Sequence, residues 1–340
     1  MSKHDSLPHS TLCRSDSGIG TPSLKTETSV STSSTLPSTS DSSPQSRFSA
    51  LGYESEPKFL DFVVQKVQTL PQTEPLVTEY LFTDIPLAWG RSLFEEVDKT
   101  FHFRQTWDAH LGTLRVKMPT DGHNIAQNWL RFNVSEWLRQ RKINWEEYRS
   151  VEMTFGSTVD LLTPPGTQSF KQPDILLRPK NGQLLPIILV EVGWSESGTD
   201  LVRDMELLLQ GGNRVIEVVI TLNWRLQQHG TVVAGTIQVW GLNANGNPEL
   251  QQTEVCQKPV IIFQAFESNI FKEVFPIPDP DPQDPGKRQE VKITRREFLG
   301  SLCSRLRPKR DPNEEYCLDI DLLREEAMST FEKCGLRPAE

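Results

Sequence analysis

The chain is an acidic polypeptide of 340 residues, with 45 Asp and Glu against 36 Lys and Arg and a formal net charge of −9. This balance excludes a surface that is basic throughout, so any contact with nucleic acid must be local. The five cysteines lack CxxC spacing, which argues against a zinc site and for a reducing compartment. No apolar run reaches the roughly 18 residues of a membrane span, and the N-terminus lacks a signal-peptide pattern. We therefore expect an intracellular protein, cytoplasmic or nuclear, without membrane contact; the oligomeric state is not readable from the sequence.

Residues 1–55 form a Ser/Thr-rich segment that we expect to be disordered. Of the first 50 residues, 23 are Ser or Thr, and large apolar residues are scarce. Such a segment cannot bury enough apolar surface to offset the entropy lost on ordering. Residues 56–111 then show apolar residues at helical spacing, interrupted by prolines, which predicts a helical N-terminal extension.

Residues 112–275 have the pattern of an α/β core. The stretch GTLRVKMP, at 112–119, has strand character, and the apolar spacing of residues 123–141 predicts a long helix after it. Short strands follow, and then a hairpin with Asn181-Gly182 at its turn, because this pair is favoured in tight turns.

The second strand of the hairpin leads into a helix and a further strand. The nearly continuous apolar run LPIILVEVGW (185–194) predicts a buried strand, and residues 195–210 have one apolar face that predicts a helix. We expect the next strand, residues 214–224, to run parallel to residues 185–194, because a right-handed helical crossover joins the two.

Residues 276–340 form a C-terminal region with a Pro- and Asp-rich linker, a basic segment and a last helix over 314–333. The basic segment, Lys287 to Arg310, contains nine Lys or Arg against two Glu. A segment of this kind contacts the phosphates of DNA or RNA, serves as a nuclear import signal, or is an ordinary solvated surface.

Two carboxylates stand in the predicted hairpin. If the turn is centred between Asn181 and Gly182, Asp174 and Glu191 are diagonal neighbours on one face of the hairpin, about 7 to 8 Å apart between Cα atoms. Two carboxylates at this separation can hold one divalent cation such as Mg²⁺ or Mn²⁺. Alternatively, Asp174 simply begins a strand and Glu191 reaches the solvated end of the sheet.

The order of these features resembles the core of the PD-(D/E)XK nuclease superfamily: Pro173-Asp174, a hairpin, an apolar strand with Glu191-Val192-Gly193, and a helix. Within that superfamily the likeness is to restriction-endonuclease-like domains of bacteria and their fungal relatives, which also begin with a short strand and a His-led helix. The resemblance covers residues 112–224. It implies a central mixed sheet flanked by helices and a metal-dependent hydrolysis of phosphodiesters, with Asp174 and Glu191 as ligands of Mg²⁺ or Mn²⁺.

The chain departs from the family pattern at Gly193, where the pattern has a lysine. In the resembling bacterial domains the lysine lies in the next helix, where this chain has Arg203, which neutralises phosphate charge but is a poor base. His123 matches the helix-leading histidine and is a candidate for a catalytic or a capping role. The resemblance therefore predicts a site of Asp174, Glu191, Arg203 and His123, and Gly193 leaves open whether the chain is an active enzyme.

Two other functions compete with a nuclease. A nuclease-like fold without catalysis can serve as a binding module for nucleic acid or protein, and the glycine at position 193 favours that interpretation. The sequence from Gly193 to Ser197 also nearly spells the G-x-S-x-G turn of serine hydrolases, with Ser195 as the nucleophile. The last glycine of that motif is missing, and the one histidine that follows Ser195 comes only a strand later.

Overall fold

Two large β-sheets, a two-stranded sheet and the helices around them make up the described part of the chain. The computed structural model describes residues 46–70, 79–180, 182–194, 198–251, 272–277 and 288–339. All of these residues belong to one compact unit, residues 41–340. The described helices include none long and apolar enough to cross a membrane.

The N-terminal sheet has the strand order β1-β2-β4-β3-β7-β6. Strand β1 pairs parallel to β2, and the other neighbours are antiparallel. The strands are β1 (Ser46–Ser49), β2 (Glu79–Thr83), β3 (Arg104–Asp108), β4 (Thr113–Lys117), β6 (Val159–Asp160) and β7 (Phe170–Lys171).

Helices α1 (Glu56–Thr69) and α2 (Leu87–Thr100) pack on one face of this sheet. The side chains of strand β4 alternate between the two faces of the sheet, so only one face is apolar enough to pack against these helices. Leu114 and Val116 are fully buried in the apolar cluster with the two helices. Arg115 and Lys117 therefore point to the opposite face of the sheet.

The central sheet has the strand order β12-β11-β10-β9-β8-β5, with β13 and β16 also paired to β11. It is mixed, because β9 and β10 are parallel while β8 and β9 form an antiparallel hairpin. The strands are β5 (Val151–Thr154), β8 (Ile175–Pro179), β9 (Ile188–Trp194), β10 (Val218–Gln227), β11 (Val232–Leu242), β12 (Pro248–Leu250), β13 (Lys272–Phe275) and β16 (Arg337–Pro338).

Helices cover both faces of the central sheet. Helices α3 (Asp121–Arg139) and α7 (Ile320–Lys333) share one apolar cluster with the sheet, and α5 (Gly198–Gly211) packs on the other face. The remaining elements are the short helices α4 (Trp145–Ser150) and α6 (Arg295–Leu299), and the antiparallel pair β14 (Glu290–Thr294) and β15 (Glu315–Asp319).

The expected α/β class with a mixed sheet is confirmed, and so is the parallel pairing across the helical crossover. The extension over 56–111 is not purely helical, because it also contains β2 and β3. The expected boundary at residue 112 falls between β3 and β4, which pair with each other, so the structure does not divide there.

The expected disordered tail lies outside the described residues as far as residue 45, and residues 46–49 form β1. Most of the predicted Pro/Asp linker also lies outside them. The last helix begins at Ile320, later than predicted, because residues 315–319 pair with β14.

Candidate active site

Asp174 and Glu191 face each other at the point where the hairpin of the central sheet opens. In the register of the hairpin, Ile175 lies opposite Val190, and continuing it by one residue sets Asp174 opposite Glu191. The expected diagonal arrangement is therefore wrong by two residues, because the connection between β8 and β9 is longer than a two-residue turn. Both side chains are nearly buried, with exposed fractions of 2% and 3%.

The N-terminal sheet supplies positive charge to these carboxylates. Its strands β3, β4 and β7 present a set of polar side chains that line one small cavity together with Asp174 and Glu191. Adjacent-strand pairing holds this set together, since Thr106 lies opposite both Arg115 and Lys171. The set consists of Arg104, Thr106, Arg115, Lys117 and Lys171.

Asp174 is held by one strong hydrogen bond and by several charges. Its Oδ2 accepts from the backbone N–H of Val192 at 2.8 Å. Its Oδ1 is buried without a hydrogen-bond partner and lies 3.4 Å from Nε of Arg104 and 3.7 Å from Nε2 of His123. Burial disfavours the charged carboxylate, but His123, Lys117 and Arg104 outweigh it and hold the pKa of Asp174 below its usual value. Asp174 is therefore an anion whose Oδ1 lies beside charged groups but accepts no hydrogen bond.

Glu191 is in a less favourable environment for a negative charge. Burial is the largest effect and raises its pKa, the ammonium group of Lys171 lowers it, and the nearby Asp174 and Asp204 raise it further. The balance raises the pKa of Glu191 to about 8, although Nζ of Lys171 lies only 3.3 Å from Oε2. Its Oε1 is buried without a hydrogen-bond partner.

Lys171 is fixed between the two sheets by Asp204 of helix α5. Its Nζ donates to Oδ2 of Asp204 at 2.7 Å and to Oγ1 of Thr106 at 3.1 Å. Asp204 also pairs with the guanidinium of Arg115. Burial opposes the charge on Asp204, but Arg115 and Lys171 hold its pKa below the usual value. An ammonium group thus lies beside Glu191 although position 193 has no lysine.

Of the other predicted residues, His123 lies at the candidate site and Arg203 does not. His123 is fully buried at the start of α3, where its Nδ1 accepts from the backbone N–H of Thr120 at 2.9 Å and its Nε2 points to Asp174. His123 therefore both caps helix α3 and lies beside Asp174 of the candidate site. Arg203 is exposed and does not line the cavity of Asp174 and Glu191. It lies on the rim of an adjoining cavity with Arg47. Ser195 lies outside the described residues.

Sequence reasoning missed Lys171, Asp204 and the cations of the N-terminal sheet. Arg115 and Lys117 carried a signal, because they alternate with the apolar Leu114 and Val116 and so share one face of a strand. Lys171 precedes Asp174 by three residues, but nothing local shows that its strand joins β3. That contact depends on residues more than 60 positions apart, Thr106 and Lys171 among them.

The oxygens of the two carboxylates are of the type that a small divalent cation such as Mg²⁺ or Mn²⁺ takes as ligands. The cavity has a volume of about 10 Å³, roughly that of one water-sized particle. Oδ1 of Asp174 and Oε1 of Glu191 are buried oxygens that lack hydrogen-bond donors. Within the described ranges, no group of three or more His, Cys, Asp or Glu side chains is arranged to hold a metal ion. Mg²⁺ commonly uses one or two carboxylates, its other ligands being water and substrate phosphates, so two carboxylates suffice.

No protein-family model matches this sequence, and the curated proteins include no significant match. Functional assignment therefore rests on the residues of the chain itself.

Proposed function

We propose that the protein is a metal-dependent nuclease of the restriction-endonuclease-like type, with Asp174 and Glu191 as ligands of Mg²⁺ or Mn²⁺. The observation that carries this proposal is that the two carboxylates stand side by side with the ammonium group of Lys171 3.3 Å from Glu191. Lys171 takes the role that the family pattern gives to the position of Gly193, and Arg203 has no catalytic role.

The residues around the carboxylates suit a phosphodiester substrate. Asp174 and Glu191 would hold a divalent cation, which would supply activation of a water molecule and positive charge to offset that of the phosphate. Lys171 is held by Asp204 and Thr106, so its positive charge is already in place when negative charge develops on the phosphate. His123 fixes the start of α3, and its Nε2 lies 3.7 Å from Oδ1 of Asp174.

The test is cleavage of labelled single- and double-stranded DNA and RNA by the full chain in Mn²⁺ or Mg²⁺. We expect cleavage that chelator abolishes and that Asp174→Asn lowers at least 100-fold. Asn is the better variant, because its side-chain oxygen still accepts from Val192 and an alanine would leave that buried N–H unpaired, at a cost of about 1–3 kcal/mol. Folded wild-type protein that cleaves none of the four substrates would contradict the proposal.

One observation favours a second candidate function, a nuclease-like module that binds without cleaving. Each carboxylate in the cavity already has a cation beside it: Arg104 at Asp174, Lys171 at Glu191, and both Arg115 and Lys171 at Asp204. An ion network balanced in this way does not require a metal for its stability.

A module that binds without cleaving would contact DNA or RNA through the basic segment, Lys287 to Arg310. The structure describes residues 288–310 of this segment. Its apolar residues Phe298, Leu299, Leu302 and Leu306 are buried in the main apolar cluster. Its exposed cations among the described residues are Arg288, Arg296, Arg305, Arg307 and Lys309. A fixed backbone with outward cations suits a phosphate backbone better than it suits an import signal, which a receptor reads as an extended peptide.

Fluorescence anisotropy with labelled DNA and RNA over a range of salt concentrations tests this second function. We expect Arg305→Gln combined with Arg307→Gln to weaken binding and to reduce the slope of log K against log salt by about 1 to 2. The matched control is Arg225→Gln, which removes an exposed cation from β10. An unchanged slope would rule out phosphate contact by the segment.

A further inference from the structure

Arg104 lies over Oδ1 of Asp174, the buried oxygen that accepts no hydrogen bond. It is the first residue of β3 and lies directly opposite Lys117 of β4. Two like charges in directly opposite positions repel each other, so this pair depends on the carboxylates of the central sheet. Nε of Arg104 is 3.4 Å from Oδ1 of Asp174. The guanidinium therefore lies where a metal ion bound to that oxygen would lie.

The contact between Arg104 and Asp174 is longer than the ion pairs that Asp204 makes with Lys171 and Arg115. Neither Nε of Arg104 nor Oδ1 of Asp174 has a hydrogen-bond partner, so the attraction is Coulombic only. By contrast, Lys171 donates a hydrogen bond of 2.7 Å to Asp204. A guanidinium without a hydrogen bond to the carboxylate is more easily displaced than one bound through a fork of two hydrogen bonds.

Arg104 is also on the solvent side of the cavity. Its side chain is 17% exposed, whereas those of Asp174 and Lys171 are 2% and 4% exposed. The guanidinium packs against Gly156, where a Cβ atom would overlap it. Gly156 has a φ of +62°, and the missing side chain leaves the space that the guanidinium fills.

We propose that Arg104 closes the cation site: its guanidinium occupies the place of a divalent cation at Asp174 and must move aside before the cation binds. The inference rests on the proposed metal site of Asp174 and Glu191. It adds that binding of the cation is a competition between Arg104 and the ion, and that Arg104 is the residue that sets the affinity of the site.

The test is titration of the chelator-treated full chain with MnCl₂, with free Mn²⁺ measured by electron paramagnetic resonance. We expect Arg104→Gln to bind Mn²⁺ about tenfold more tightly than wild type, because a positive charge beside the ligand oxygen is gone. Arg104→Lys keeps the charge and should bind like wild type. The matched control is Arg149→Gln, an exposed arginine of α4 that does not line the cavity.

The possible results separate this inference from the proposed function. If wild type binds Mn²⁺ and Arg104→Gln binds it no more tightly, Arg104 does not close the site, and the metal site stands. If Mn²⁺ binds more tightly to Arg104→Gln than to wild type and does not bind to Arg104→Gln combined with Asp174→Asn, the proposal that Arg104 blocks the ion at Asp174 is supported. If neither wild type nor Arg104→Gln binds Mn²⁺ while both melt as folded proteins, the metal site itself is refuted and the inference falls with it.

Discussion

The protonation state of Glu191 is set by its buried surroundings. Burial, together with Asp174 and Asp204, raises its pKa to about 8, against 4.5 for an ordinary glutamate. Between these two pH values the folded chain holds a proton that the unfolded chain has released. The free energy of unfolding therefore falls as the pH rises from about 4.5 to about 8, and the stability that this proton contributes is fully lost above that window.

A glutamine at this position cannot titrate, so we expect Glu191→Gln to be more stable than wild type at pH 9 and close to wild type at pH 5. The measurement is urea unfolding of metal-free protein at both pH values. Glu152→Gln serves as the control, because Glu152 lies on the outer strand β5 and pairs with Arg178 at 2.8 Å. A stability difference between wild type and Glu191→Gln that does not grow with pH would contradict the assigned environment.

Helix α2 packs closely on strand β3 at Gly90. A Cβ atom at Gly90 of α2 would overlap the indole ring of Trp107 in β3, which is 1% exposed. Replacement of a helical glycine by alanine usually stabilises a helix by about 0.5–1 kcal/mol. Here the added methyl group has no space, so we expect Gly90→Ala to lower the free energy of unfolding by about 1–3 kcal/mol.

Thermal or urea unfolding checks this expectation, with Gly52→Ala as the matched control. No other atom lies within 4 Å of a Cβ built at Gly52, so that variant should be neutral or slightly more stable. If Gly90→Ala is as stable as Gly52→Ala, the packing of α2 on β3 differs from the one described.

At the scale of elements, the sequence predicted the parts of the fold that depend on local patterns. The helix from Asp121, the hairpin before Glu191 and the parallel strand β10 follow from apolar periodicity and turn residues. The N-terminal sheet was not predictable in the same way, because the pairing of β7 with β3 joins distant parts of the chain. The hairpin register was missed by two residues, since β8 ends at Pro179 and β9 begins only at Ile188.

For the whole molecule, the candidate site is a contact between two sheets. The central sheet and α5 contribute Asp174, Glu191 and Asp204, and the N-terminal sheet contributes the cations. Asp174 and Glu191 were predictable because they stand in one hairpin. Lys171 was not, because its place beside Glu191 exists only after the two sheets have packed together.

Asp204 links helix α5 to the N-terminal sheet, because its carboxylate binds Arg115 and Lys171 of that sheet. We expect Asp204→Asn to lower the free energy of unfolding by about 3–5 kcal/mol, since the buried Arg115 and Lys171 both lose the negative charge of Asp204. Urea unfolding measures this loss. Asp160→Asn removes an exposed partner of Arg91 and should cost no more than about 1 kcal/mol. Equal effects of the two variants would show that the charges of the cavity do not hold the layers together.

The central claim is that Asp174 and Glu191 act with Lys171, and not with Arg203, to hydrolyse phosphodiesters. The most direct test compares cleavage rates in Mn²⁺ for wild type, Lys171→Met and Arg203→Gln, each shown to be folded by its thermal transition. We expect Lys171→Met to lose at least 100-fold in rate and Arg203→Gln to lose less than about tenfold. Cleavage that survives in Lys171→Met and disappears in Arg203→Gln would contradict the claim.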